Sequence, residues 1–246
     1  SIERPGAHPV PPLNLVGDYS GGGLMLAFGM TAAILAVRSG APGRVVDCAM
    51  TEGASALMAG TWTLMGQGQW TEKRGTNLLD GGAPFYDAYR TSDDRYVTIG
   101  AIEPKFFARL IELLGLNADP DFHDQNDKSK WPAMKAVLTA KFASRPLQHW
   151  CDLLQNEEVC FAPVVSMSEA LSYPHNWARS SFVTVDGVPQ PAPVPRYSGT
   201  PASKPAMWRE NSDLENLLSD CGFGAEDIQE LRNEGAFGEP LNAQEL

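Results

Sequence analysis

The sequence predicts an α/β chain, large enough for one big domain or two modest ones. Three observations point there. Of its 246 residues, 43% are hydrophobic and 20% charged, a globular balance that fits neither disorder, collagen nor coiled coil. A long apolar helical pattern runs from Leu24 to Arg38, and amphipathic patterns follow at Glu103–Leu114, Trp131–Ala143 and Pro146–Gln155. Short β-rich runs alternate with them at Arg44–Ala49, Phe85–Arg90, Arg95–Ile99 and Cys160–Val165.

Each element has a local reason. Pro9 to Asn14 is held extended, because a proline pushes its predecessor out of the helical region. Leu15-Val16-Gly17 reads as a strand-like run, and Asp18 stands between it and Gly21-Gly22-Gly23. The helix beyond is apolar on nearly every side and is expected to be buried. Gly40 and Pro42-Gly43 stop it. Thr51 opens a second helix with Met58, Trp62 and Met65 on one side, ending near Gly66 and Gly68.

Gly75 to Pro84 is rich in Gly, Asn and Asp and reads as an ordered loop. The residues Thr91-Ser92-Asp93-Asp94 join the next runs as a hairpin. In the helix that follows, Phe106, Phe107, Leu110, Ile111 and Leu114 share a face, with Pro104 just inside the start and Gly115 past the end. Gly187 to Pro205 carries six prolines and is read as an irregular crossing segment. Asp213–Cys221 and Ala225–Asn233 close the chain as a helical pair.

Composition excludes several classes. With 19 basic against 30 acidic residues the net charge is −11, which repels nucleic acid and anionic membrane. The apolar run Leu24–Val37 has 14 residues, short of the ~20 that a bilayer needs. Ser-Ile-Glu-Arg-Pro-Gly at the start has no secretory pattern, so a cytoplasmic protein is expected. Cys48, Cys151, Cys160 and Cys221 are scattered like reduced thiols, and His8, His123, His149 and His175 are equally dispersed. No metal site is legible.

Two carboxylates stand out. Asp18 is either a helix N-cap or an acid–base group. Three glycines, each costing a helix about 1 kcal/mol against alanine, favour a place where a ligand approaches the backbone at the positive end of a helix. Glu103, between the run Val97–Ile102 and a helix, reads by itself as a favourable first-turn charge. Met25, Met30, Met50, Met58 and Met65, five of eight methionines, form either a pliable core or a soft surface for an apolar ligand.

Four strings carry a resemblance: Pro11 to Gly23, Gly43 to Met50, Arg74 to Tyr86 and Gly100 to Phe107. Together they closely resemble racemase members of the class III CoA-transferase (CaiB/BaiF-like) family, and the likeness runs the length of the chain. It implies part of that fold: a remnant of a Rossmann-like large domain over 1–70, a small α+β domain over 71–186, and a crossing with returning helices over 187–246. It also implies an interlocked homodimer. Family members extend further at the N-terminus, where most CoA-binding groups and a catalytic histidine in a Gly-His-Asp segment lie. His8 sits in a different motif, so a C-terminal portion is expected.

The implied activity interconverts (2R)- and (2S)-2-methylacyl-CoA thioesters by 1,1-proton transfer through an enolate. It needs two opposed acid–base groups and donors for the enolate oxygen. The family's aspartate base falls on Asp18, and the glutamate that partners its histidine, serving a site shared between subunits, falls on Glu103. Tyr19, Gly21 and Gly22 would flank the substrate, and Met50, Leu79, Tyr86 and Ile102 would meet the acyl chain. No cofactor is implied beyond the CoA of the substrate. Two alternatives stand: a class III CoA-transferase with Asp18 as nucleophile, and a non-catalytic dimerisation piece. The family's transferases carry a glycine-rich loop where this chain has Gly100-Ala101-Ile102-Glu103, which favours the racemase.

Overall fold

In the computed structural model, residues 8, 10–200, 202–203, 205–206 and 212–237 are described. The readings for the first six residues, for Pro9 and for Pro201 lie outside them. The chain divides into two compact units, Ser1–Val164 and Val165–Leu246.

The first unit opens on helices. Leu15–Leu24 coils as a π-helix and runs directly into α1 (Met25–Arg38). The strand-like reading of Leu15–Gly17 is therefore corrected. Asn14 holds the cap position, and Asp18 lies inside the first turn. Gly21–Gly23 present no β-carbons, so the backbone takes the wider coil that packs on α2 (Met50–Leu57). α3 (Ala59–Gly66) continues α2 after a break at Met58.

The continuous helix Leu15–Arg38 has 24 residues and only Gly21 among them is buried, against the expectation of a core helix. Packing on it is concentrated at its N-terminal turns, leaving Phe28 74% and Leu35 66% exposed. By length and composition alone it is long enough to cross a bilayer, because the π-helical turns extend the apolar run. The expected strand at Arg44–Ala49 takes no regular structure, and no neighbouring strand pairs with it among the described residues.

The rest of the unit builds the core. β1 (Tyr86–Arg90) and β2 (Tyr96–Gly100) form the expected hairpin, turning at Asp94 with φ 60°. β3 (Phe161–Val164) pairs antiparallel to β2, with Thr98 opposite Ala162. Around this three-stranded sheet come α4 (Pro104–Leu113), α5 (Trp131–Ala143) and α6 (Leu147–Leu154). Phe85, Val97, Leu110, Met134, Leu138, Phe142, Trp150 and Leu154 are buried together. Full burial of each large apolar side chain contributes roughly 1.5–3 kcal/mol. Asp93, in the hairpin turn, accepts from the Leu147 amide at 3.0 Å and so caps α6 from another element.

The second unit holds α7 (Met167–Ser172), started by a Ser166/Glu169 capping box, and α8 (Pro174–Ala178). β4 (Phe182–Val185) and β5 (Val188–Pro191) form a hairpin across Asp186-Gly187. The proline run is thus not irregular throughout. Pro189 and Pro191 fit because a two-stranded ribbon has outer edges that need no amide donor. α9 (Ser212–Asp220) and α10 (Ala225–Asn233) form the closing pair, one residue earlier than expected at the start.

Candidate active site

The site residues read from the sequence fall into two clusters, both in the first unit. The first sits at the π-helical start. Asp18 is exposed and does not hold the helix cap. Tyr19 beside it is also exposed. Gly21 is buried, and a β-carbon there would stand 2.7 Å from the Ala54 nitrogen. A β-carbon on Gly22 would meet the Met50 Cγ at 3.0 Å, so the Met50 side chain lies across Gly22 while staying half exposed. Gly17, one residue before Asp18, opens on free space. An exposed short carboxylate on a helix turn can exchange a proton with a bound carbon acid.

The second cluster surrounds the end of β2. Glu103 occupies the N-cap position of α4 in extended backbone, with Pro104 at the first helical position. Its carboxylate is exposed rather than bound to its own helix. Ile102 packs against the core. The stretch carrying both is pinned, because Gln125 Nε2 donates to the carbonyls of Ala101 and Ile102 at 2.9 Å each. Trp131 in turn donates to the Gln125 carbonyl at 2.9 Å. Cys160, with φ 52°, is close enough to feel Glu103. Burial pushes its thiol up, and the Glu103 charge pushes it further.

A cleft of ≈ 820 Å³ opens beside this cluster, lined by Leu79, Tyr86, Asp87, Gly100, Lys135 and Cys160 among others. Its lining includes neither Asp18 nor Glu103. Leu79 is 47% exposed on a loop whose fold explains the Gly-Asn-Asp composition. The Asp80 carboxylate accepts from the amides of Gly75, Asn77 and Gly82 and from Asn77 Nδ2. Asn77, 1% exposed, accepts from the Thr71 amide at 2.8 Å. The sequence reading missed Gln125 and Lys135. Lys135 meets the loop across 54 positions, beyond any local pattern, whereas Asn77 and Asp80 were within reach of the turn chemistry of that loop.

The arrangement thus joins a π-helical start, a three-stranded sheet with its helices, and a glutamate that follows the end of a strand. The chain belongs to the CoA-transferase family III, whose model matches residues 2–209. It is 39% identical over 238 residues to "Alpha-methylacyl-CoA racemase" of Mus musculus and 37% identical over 237 residues to the protein of the same name of Homo sapiens. Each match covers 95% of this chain and 62% of the relative, so the chain spans under two thirds of their length. A crystal structure of Rv3272 from M. tuberculosis shares the fold, with TM-score 0.64 and 23% identity over 82% of this chain and 55% of that one.

Proposed function

We propose that these residues form part of a racemase or epimerase of 2-methylacyl-CoA thioesters. One acid–base group removes the proton on the carbon next to the thioester carbonyl. The electron pair delocalises onto the carbonyl oxygen as an enolate, and a second group returns a proton to the opposite face. Asp18 is one of these groups in this reading. Glu103 supports the other, a histidine outside these residues, from the neighbouring subunit of a homodimer. Leu79, Tyr86 and Met50 would guide the acyl chain. The dimer and the remaining length of the family chain would cover the exposed apolar surface of Leu15–Arg38. The four free thiols suit a cytoplasmic enzyme.

The observation that carries this reading is the pinned loop before Glu103. Its two carbonyls are held by Gln125, so the backbone leading into Glu103 is tied to the core. A transferase that cycles an acyl anhydride on Asp18 calls instead for a mobile cover over the intermediate. The test uses the full-length polypeptide containing these residues, in D2O. Deuterium entering the α-position of a 2-methylacyl-CoA with no second acid present supports the racemase. Exchange of CoA onto a free acid, without deuterium entry, establishes the transferase and ends this reading.

A further inference from the structure

The cleft beside β1 has a polar corner that proton transfer does not use. Lys135 rises from α5 and donates from Nζ to the carbonyl of Gly81. The same ammonium lies 2.9 Å from the Asp87 carboxylate, and the two side chains are only 26% and 12% exposed. A pair so withdrawn from water adds little net stability, because desolvation offsets the Coulomb attraction. Its two contacts nevertheless join three pieces of backbone: α5, the loop apex and β1.

The loop moves as a block if it moves at all. Asp80 holds the amides of Gly75, Asn77 and Gly82 at 2.9, 2.8 and 3.2 Å, and Asn77 Nδ2 at 2.7 Å. Leu79 rides on that block and lines the same cleft as Tyr86, the neighbour of Asp87 on β1. At Gly81 a φ of +80° turns the chain, and a β-carbon there would meet Asp87 Oδ1 at 3.4 Å. The carbonyl that Lys135 grips therefore belongs to a residue beside Asp87.

We propose that Lys135 is a positioning residue that sets acyl-chain selectivity. By tying Gly81 to Asp87 it fixes the gap between Leu79 and Tyr86, the width available to a long or branched chain. A short chain that does not reach the gap is indifferent to it. The inference rests on the acyl-thioester reading above and extends it to a residue that touches no reacting atom.

The test compares Lys135→Met and Lys135→Arg with the unaltered full chain. Deuterium entry is followed for one short and one long 2-methylacyl-CoA, and amide exchange is followed over Gly75–Gly82. Lys135→Met is expected to raise KM for the long thioester about tenfold while kcat and the short thioester's KM change less than about twofold. Loop amides exchange faster in that variant, and Lys135→Arg restores both properties. Equal KM changes for the two thioesters, or unchanged loop exchange, overturn the proposal. Should Lys135→Met not fold, Lys135→Gln is expected to shift both readouts the same way by less. If the unaltered protein processes no thioester, the functional reading fails, and the loop amides still decide whether Lys135 holds Gly81.

Discussion

Gly53 on α2 faces Gly21 so closely that a β-carbon built on Gly53 would fall 1.9 Å from the Gly21 carbonyl oxygen. The obstacle is backbone, which cannot rotate away as a side chain can. The glycine run is thus explained in part by helix crossing. Only glycines at both positions let α2 lie on the turns that carry Asp18.

The crossing sets the first prediction. Gly53→Ala forces α2 off the π-helical turns and is expected to destabilise the chain by about 1–3 kcal/mol. Gly60→Ala is the control, since a β-carbon there meets nothing within 4 Å. Replacing that first-turn glycine should leave stability unchanged or raise it by at most about 0.5–1 kcal/mol. Urea midpoints measure both, and a Gly53→Ala midpoint at or above the unaltered one refutes the packing account.

Asp18 gives the second. Because Asn14, not Asp18, holds the cap position, Asp18→Asn removes no cap and should leave the urea midpoint nearly unchanged. Deuterium entry into one enantiomer should fall at least about a hundredfold while CoA-ester binding stays. Equal loss of binding and exchange would return Asp18 to a structural role.

How far the sequence could be read follows from the range of the forces involved. The hairpin at Thr91–Asp94, the Pro104 start of α4 and the Gly115 stop were legible because each is fixed by residues within a few positions. Arg44–Ala49 was misread because an apolar β-rich run becomes a strand only when another strand supplies its ladder. Leu15–Gly17 was misread because three glycines carry no periodicity to reveal the helix already under way. At the candidate site, Asp18 and Glu103 stood out by their flanks, whereas Gln125 reaches Ala101 across 24 positions and Lys135 reaches Gly81 across 54.

Asp93 supplies a pH dependence. Its carboxyl is held below the ordinary value, chiefly by the Thr91 hydroxyl at 2.6 Å and also by the Leu147 amide. A lowered folded value means that this stabilisation is present above the ordinary carboxylate value and is lost as pH falls through the lowered one. Asp93→Asn should lower Tm at neutral pH and flatten its decline in acid. Melting curves from pH 7 down to about pH 2 read this out, and parallel curves for the two proteins would contradict it.

The last prediction concerns how Glu103 is held. Gln125 is buried at 8% exposure and serves the two carbonyls just before Glu103. Gln125→Leu strands both acceptors and should cost about 1–3 kcal/mol. If the loop presents Glu103 for proton transfer, kcat should fall further than that loss of stability explains at a temperature where the variant is fully folded. Cys160 reports the carboxylate's position without any substrate, because the Glu103 charge helps hold its thiol up. Glu103→Gln should therefore speed alkylation of Cys160 at fixed pH, resolved from the other cysteines by peptide mass. Gln125→Leu should change the same rate if Glu103 has moved. A Gln125→Leu protein that keeps full kcat and an unaltered Cys160 rate would mean that the loop holds Glu103 without Gln125, and the rigid-presentation argument would lose its support.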